Sequence, residues 1–431
     1  MWRLAILVAG LILTVQGGPA LAQPDDLDAI ARDYVRLQLE IGARDDGYVD
    51  AYYGPAEIRT AAAANPRPTE QLHAAALALQ RRVGAVRATG AAVRRRAFLA
   101  AQLTAALTRL RMLRGERLSF NEEALGLYGV NLEGRILALT HYDPVLERIE
   151  RLVRGNGPLA ERVERFMARF TIPQERLDAV MRAAIAECRR RTVAHIPLPA
   201  GEAFTLEFVT DQPWSGYNWY QGNYHSLIQV NTDQPVRLSR AVDLGCHEGY
   251  PGHHAYNMLL ERALARGRGW TEFQVYPLYS PQSFIAEGSA NYGVELAFPG
   301  PERLRFETRI LYPLAGLPIT DAAEYLALQE ATEALAGARF TIARDFLEGR
   351  ITRDQAIALA ERYQLMTRAR AEQSIRFTER YRAYVINYGL GRDIVAAHVE
   401  RAGSSPRVRW AAMRRLLSEP VLPADLISDR R

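Results

Sequence analysis

Three of the chain's eight histidines lie within one segment of eight residues. The segment begins with His247 and Glu248 and ends with His253 and His254. Imidazole nitrogens bind zinc, and a glutamate next to a histidine ligand can take a proton from the water that the metal activates. The cluster therefore predicts a Zn²⁺ site with Glu248 as general base, and a polar turn with incidental histidines is the alternative.

The separation of the histidines differs from that of the standard zincin motif. In that motif the second histidine lies at i+4, about 40° around a helix and about 6 Å along it, whereas His253 at i+6 would lie about 120° around and about 9 Å along. Pro251 and Gly252 would let the helix bulge and swing His253 inward. His254 returns to the face of His247, but about 10.5 Å along the axis, so it is the alternative to His253 as a ligand.

A catalytic zinc ion normally has three protein ligands and one position for water. Downstream of the histidines, Glu287 is a lone acid within a run of mostly small and apolar residues from Ser280 to Tyr292. A carboxylate buried in such surroundings calls for a cation. We predict Glu287 as the third ligand, and an ordinary capping or surface glutamate is the alternative.

These segments resemble the domain-of-unknown-function-885 family, a metallopeptidase-like group related in layout to thimet oligopeptidase and carboxypeptidase Taq. The resemblance covers roughly residues 200 to 395. It rests on the His-Glu-x-x-Pro-Gly-His block that begins at His247, on Ala286-Glu287-Gly288 with Tyr292, on Val230-Asn231-Thr232, and on Tyr388 with Gly391. It implies a largely helical zincin-like fold, a catalytic Zn²⁺, and the same ligands and base. The chain departs from the family pattern at Ser289 and Tyr384, where relatives tend to carry tryptophan and glutamine.

The reaction that these residues suggest is the attack of zinc-activated water on the amide of a peptide substrate. Glu248 would remove the proton and pass it to the leaving amine. A phenol that polarises the carbonyl oxygen would complete the site, and Tyr388 is the first candidate, with Tyr384 second. Tyrosines in a helical C-terminal region are more often packing residues, which is the alternative for both.

Two other functions are compatible with a zinc site. A zinc hydrolase of non-peptide amides or esters would use the same metal and base. A non-catalytic metal-binding protein of the cell envelope is less favoured, because a binding site has no need of Glu248. A serine hydrolase is disfavoured, since the chain has no Gly-x-Ser-x-Gly elbow.

Composition excludes further classes. The formal net charge of +5 comes from 54 cationic and 49 acidic residues that are distributed along the chain, so a nucleic-acid partner is not predicted. Every cationic residue is arginine, which excludes a Schiff-base lysine, a lysine general base and a P-loop.

The residue pattern predicts a mainly α protein with a small β-sheet beside the active-site cleft. We expect a signal peptide over residues 1–22, an N-terminal helical lobe over 23–195, and a zinc-binding catalytic lobe over 196–431. The residue pattern of the N-terminal lobe predicts consecutive helices. Strands are predicted at Phe204 to Val209 and within Tyr217 to Thr232, because these stretches are rich in aromatic or branched residues. Helical patterns resume at Ala241, and Thr352 with Gln355 forms a capping signal.

The N-terminal segment has the features of a secretory signal. A positive start is followed by an apolar stretch from Leu4 to Val15 and by Ala20-Leu21-Ala22. The stretch is shorter than the roughly 20 residues that span a bilayer, so stable membrane insertion is not predicted. Cleavage near Ala22 would release a periplasmic or secreted protein. Its oligomeric state cannot be predicted from these patterns.

The chain has two cysteines, Cys188 and Cys246. An oxidising compartment would permit a bridge between them. Cys188 follows Val180, Met181 and Ala184 at helical spacing, which favours a buried apolar thiol. The sequence leaves the choice open.

Overall fold

The structure is a computed structural model that describes residues 26–212 and 214–427. It is mainly helical, with 65% helix and 7% strand, as the sequence predicts. Residues 1–22, the predicted signal peptide, lie outside the described residues. Within the described ranges, no helix is both long enough and apolar enough to cross a bilayer.

Twenty α-helices are present in the described ranges. They are α1 Leu27–Gly42, α2 Ala56–Ala64, α3 Thr69–Ala85, α4 Ala91–Leu113, α5 Phe120–Glu123, α6 Asp143–Leu152, α7 Leu159–Ala168, α8 Leu177–Val193, α9 Leu238–Leu244, α10 His253–Leu260, α11 Pro281–Ala297, α12 Glu302–Phe306, α13 Tyr312–Ala315, α14 Ala322–Glu333, α15 Ala338–Leu347, α16 Arg353–Tyr363, α17 Arg368–Tyr381, α18 Ile386–Arg401, α19 Pro406–Leu416 and α20 Pro423–Ile427. The predicted capping box of Thr352 and Gln355 begins α16.

Several helices are joined by single turns of tighter or wider helix. The π-helical turns are Ala124–Tyr128, Gly245–Gly249, Glu261–Arg266 and Glu307–Leu311. The 3₁₀ turns are Leu139–Tyr142, Gln174–Arg176, Thr271–Gln274 and Arg382–Val385. One π-helical turn, Gly245–Gly249, contains His247 and Glu248, and such turns are frequent at functional sites.

Five strands form two small sheets in the described residues: β1 Val49–Tyr52, β2 Ala203–Val209, β3 Gly216–Gly222, β4 His225–Asn231 and β5 Val275–Pro277. In the three-stranded sheet the order is β2-β4-β3, with β2 parallel and β3 antiparallel to β4. This sheet confirms the predicted strands and leaves β3 at an edge. β1 pairs with β5 and interrupts the helical lobe, so the expectation of consecutive helices is wrong there, because pairing across such a sequence distance leaves no local signal.

Helices α11 and α18 cross in direct backbone contact. A Cβ atom at Gly288 would lie 2.5 Å from the carbonyl oxygen of Gly391, far inside ordinary contact distance. Only glycine permits this approach. Because Glu287 precedes Gly288 on α11 and Tyr388 lies one turn before Gly391 on α18, the crossing brings the predicted metal ligand beside the tyrosine helix.

Cys188 and Cys246 form a disulfide, with their Cα atoms 5.3 Å apart. The favoured expectation of a free thiol at Cys188 is therefore wrong, although both cysteines are fully buried as that expectation required. The helical pattern of α8 shows which face is buried but not what lies opposite. The segment opposite α8 is the turn that contains Gly245 and Cys246. It packs closely on α8, because a Cβ at Gly245 would lie 3.2 Å from the backbone nitrogen of Ile185.

Candidate metal centre

The two predicted histidine ligands lie on either side of a helix break. The π-helical turn that follows α9 ends at Gly249, and α10 begins at His253. Between them the Tyr250–Pro251 peptide bond is cis, and the amide of Gly252 donates a hydrogen bond of 3.0 Å to the carbonyl oxygen of Cys246. The chain thus breaks and restarts, where the sequence led us to expect a bulge within one helix.

The break brings the candidate ligand atoms of three residues together. Nε2 of His253 lies 3.1 Å from Nε2 of His247, which in turn lies 3.3 Å from Oε2 of Glu287. Nε2 of His253 is 3.7 Å from Oε1 of the same carboxylate. With bonds of about 2.0–2.1 Å, a tetrahedral zinc ion holds its ligand atoms about 3.3–3.4 Å apart, so the observed spacings suit that ion.

The donor set also fits zinc chemically. Oε2 of Glu287 is buried and has no hydrogen-bond partner among the described residues, which is costly for a carboxylate oxygen that faces no cation. Two imidazoles and one carboxylate form the ligand set of many catalytic zinc sites. The three residues that the sequence predicts as ligands are therefore both close enough and of the right type to hold Zn²⁺.

The pKa shifts of two of these three groups favour metal binding. Burial lowers the pKa of His253 to about 4. Burial would also lower the pKa of His247, but the carboxylates of Glu248 and Glu287 raise it overall. For Glu287, burial acts to raise the pKa, yet the two histidines and a hydrogen bond from Tyr384 lower it. A neutral His253 and an ionised Glu287 are the forms that bind metals.

Glu248 lies next to this triad without belonging to it. Only 4% of the residue is exposed, and burial raises the pKa of its carboxyl to about 7. Asn218 on β3 donates a 2.7 Å hydrogen bond to the backbone carbonyl of Glu248. A Cβ at Gly216 would lie 3.1 Å from Oε1 of Glu248, so the edge strand passes directly over this carboxylate.

The two predicted tyrosines have different contacts. The hydroxyl of Tyr384 donates a 2.7 Å hydrogen bond to Oε1 of Glu287 and so orients that ligand. The ring of Tyr388 lies 5.7 Å from the ring of Tyr384, and both residues line the cleft. Burial raises the pKa of both phenols well above the usual value, which keeps them protonated as hydrogen-bond donors.

His254, the alternative ligand, lies outside the triad. Its Nδ1 is 2.7 Å from Oγ of Ser226 on β4, and its Nε2 is 3.1 Å from Oε2 of Glu202. Glu202 also accepts a hydrogen bond from Tyr250, so one carboxylate bridges the two ends of the helix break. Burial would raise the pKa of Glu202, but hydrogen bonds from His254, Tyr250 and Arg189 lower it to about 2.

Replacing the two neighbouring histidines separately should have unequal effects on zinc. In His253→Ala the affinity for zinc should fall more than about 100-fold, because loss of a ligand costs more than the 10- to 100-fold expected for a group that supports a ligand. His254→Ala should lower thermal stability but bind zinc at wild-type stoichiometry. Zinc titration and thermal unfolding of both variants measure this, and a greater loss of zinc at His254 would reverse the assignment.

Sequence reasoning missed Asp50 on β1, which the structure brings into the cleft. It accepts a hydrogen bond from the hydroxyl of Tyr217 on β3. Burial raises the pKa of Asp50 to about 7, with Tyr217 opposing and Glu287 adding to the shift. The aromatic and branched residues from Tyr48 to Tyr53 are a local signal for this strand, but they do not identify its partner.

The candidate centre faces a cavity of about 2160 Å³. Its walls include the triad, Glu248, both tyrosines and the start of β3. Pockets for small ligands measure about 300–1,000 Å³. The cavity is therefore large enough for a substrate of several residues.

Comparison with known proteins gives no family for the chain. No protein-family model matches it, and no curated protein matches it. Among solved structures, it is similar to the crystal structure of a "putative lipoprotein" from Colwellia psychrerythraea, with a TM-score of 0.48 and 16% identity over 81% of this chain and 66% of that one. It is also similar to the structure of a "putative lipoprotein of unknown function" from Shewanella oneidensis, with a TM-score of 0.45 and 13% identity over 84% of this chain and 76% of that one.

Proposed function

We propose that this chain is an exported zinc-dependent metallopeptidase with a zincin-like active site. His247, His253 and Glu287 would hold Zn²⁺, and Glu248 would be the general base. The observation that carries the proposal is the convergence of ligand atoms from three residues, at spacings of 3.1 to 3.7 Å, beside the buried carboxylate of a fourth residue, Glu248. A site that only stored metal would not need that carboxylate.

The residues of the site have separable roles in this proposal. Zinc, when bound, polarises a carbonyl oxygen and lowers the pKa of a water molecule. Glu248 takes the proton of the attacking water and passes it to the leaving amine. Tyr388 donates a hydrogen bond from its hydroxyl to the carbonyl oxygen, on which negative charge develops. Tyr384 keeps Glu287 in place through their hydrogen bond.

The edge strand supports a peptide as the substrate. Gly216 to Trp219 of β3 line the cleft, and Gly216 lies against Glu248. A peptide can add to an exposed strand edge through main-chain hydrogen bonds. The rings of Trp214, Tyr217 and Trp219 contact one another in tilted arrangements along this wall, with centroids 5.4 and 4.5 Å apart, and offer apolar surface for side chains. A small ester would use little of this surface.

The disulfide supports export. Disulfides mostly form and persist in oxidising compartments, so the bridge between Cys188 and Cys246 agrees with the predicted signal peptide and a periplasmic or secreted protein.

The test is metal analysis combined with cleavage profiling. Purified protein beginning at Gln23 should contain about one equivalent of zinc by mass spectrometry, the content of a mononuclear site. It should cleave members of a peptide library, lose this activity with a chelator and regain it with added zinc. Failure to bind zinc on titration, or cleavage that survives complete removal of the metal, would contradict the proposal. Cleavage of ester analogues without cleavage of peptides would favour the non-peptide hydrolase.

A further inference from the structure

Arg339 on α15 is a cleft-lining cation without an acidic partner. Its Nε is buried without a hydrogen bond, and among the residues that the structure describes no carboxylate lies within ion-pair distance of its guanidinium. Several other arginines of the same cavity have such partners. They include Arg191 with Glu187, Arg237 with Glu164, Arg303 with Asp243 and Glu307, and Arg392 with Glu295.

Arg339 is half-buried, and a partly buried charge without an acidic partner still has a desolvation cost, so its retention calls for an explanation. Aromatic rings supply part of it. The guanidinium carbon of Arg339 lies 5.0 Å from the ring centroid of Phe377 and 5.9 Å from that of Tyr388. These contacts hold the side chain in place but do not neutralise it, and burial lowers the pKa of the guanidinium. An anion that enters the cleft would supply the missing charge.

The position of Arg339 relates that anion to the reaction. The ring of Tyr388 lies close both to Arg339 and to the ring of Tyr384, whose hydroxyl donates a hydrogen bond to Glu287. Arg339 is therefore linked to the predicted metal triad through the two tyrosines. A substrate whose carbonyl oxygen accepts from Tyr388 would place its neighbouring groups next to this guanidinium.

We propose that Arg339 binds a carboxylate of the substrate next to the scissile amide and thereby selects the bond that is cut. The planar guanidinium forms paired hydrogen bonds with a carboxylate, which suits this role. The carboxylate could be the C-terminal group of the peptide, giving carboxypeptidase action, or an acidic side chain beside the cleaved bond. The inference rests on the proposed peptidase function for the bond that is cut, but the carboxylate site can be measured by binding alone.

Arg370 on α17 offers a matched control. It also lines the cavity and has no ion pair among the described residues. Burial lowers its pKa, as it does at Arg339, but its charged neighbours are Arg237, Arg240 and Glu164. Among the described residues, Arg370 has no ring contact with Tyr388. Arg370→Gln therefore removes a cleft charge without touching the tyrosine side of the site.

The first experiment measures binding of a short peptide and of its C-terminal amide by calorimetry, in protein carrying Glu248→Gln so that no cleavage occurs. The free acid should bind about tenfold or more tightly than the amide, as expected for a hydrogen-bonded charge pair. Adding Arg339→Gln should remove this difference, Arg339→Lys should restore part of it, and Arg370→Gln should preserve it. Thermal unfolding of each variant confirms that it is folded.

A third peptide identifies the source of the carboxylate. If an amidated peptide with a glutamate side chain binds as tightly as the free acid, and Arg339→Gln abolishes this, the side chain is the source and Arg339 keeps its role. Two results would overturn the proposal. One is equal binding of all three peptides to the protein that retains Arg339, and the other is loss of the difference between peptides in Arg370→Gln but not in Arg339→Gln. Discrimination by a protein that cleaves no peptide when loaded with zinc would leave the carboxylate site standing and remove the peptidase function.

Discussion

Replacement of Gly252 by alanine should weaken zinc binding severely. A Cβ at this position would lie 1.8 Å from the carbonyl oxygen of His247 and 2.4 Å from that of Cys246. Both are backbone atoms of the preceding turn, so they cannot move aside as a flexible side chain could. Relief of the clash must displace either the turn that carries His247 or the start of α10 at His253, and the two imidazoles would then separate.

Gly249 provides a control three residues earlier in the same segment. A Cβ there would meet only a side-chain carbon of Ile185, at an ordinary contact distance of 3.6 Å. Gly249→Ala should therefore bind zinc normally, whereas Gly252→Ala should lose at least about 100-fold in affinity and about 1–3 kcal/mol in free energy of unfolding. Zinc titration, circular dichroism and thermal unfolding separate loss of the site from loss of the fold. Wild-type zinc affinity in Gly252→Ala would refute the helix break as the basis of the site.

Glu248→Gln should keep zinc and lose turnover by about 10²- to 10⁴-fold. The amide has nearly the same shape as the carboxylate but cannot accept a proton from water. Because the side chain of Glu248 lies outside the ligand triad, the metal content should be unchanged. The measurement is kcat on a peptide that the wild-type protein cleaves, together with zinc content by mass spectrometry.

A second carboxylate controls for the loss of negative charge in the cleft. Glu295 lies on the same helix as Glu287 and forms a 2.6 Å ion pair with Arg392. Glu295→Gln should retain kcat within about twofold, since an exposed ion pair contributes little. Unchanged turnover in Glu248→Gln would remove it as the base, and loss of zinc would show that it holds the metal instead.

The sequence predicted the local part of the candidate site. His247 and His253 are six residues apart, a spacing that no continuous helix can bring to one metal, and the intervening Pro251 and Gly252 indicated where the helix must be interrupted. Helix geometry could not give the form of the interruption. The complete break depends on hydrogen bonds from Tyr250 and His254 to Glu202, a residue in a different part of the chain.

Local sequence patterns did not predict which residues from distant parts of the chain join the site. Asp50 reaches the cleft because β1 pairs with β5, and Arg339 reaches it because α15 packs near Tyr388. Helical and strand periodicity show which face of an element is buried, but they do not identify the element opposite. Gly288 and Gly391 each stood out in the sequence, yet nothing in the sequence showed that these two glycines contact each other.

The bridge between Cys188 and Cys246 also affects the unfolded chain. It closes a loop of 58 residues that contains all of the three-stranded sheet and α9. In the chain-entropy model, a loop of this length removes conformational freedom from the unfolded state worth about 4 kcal/mol. The residue after the second cysteine is His247, the first of the proposed ligands. The same covalent link therefore limits how far the turn that carries His247 can separate from α8 when the surrounding structure loosens.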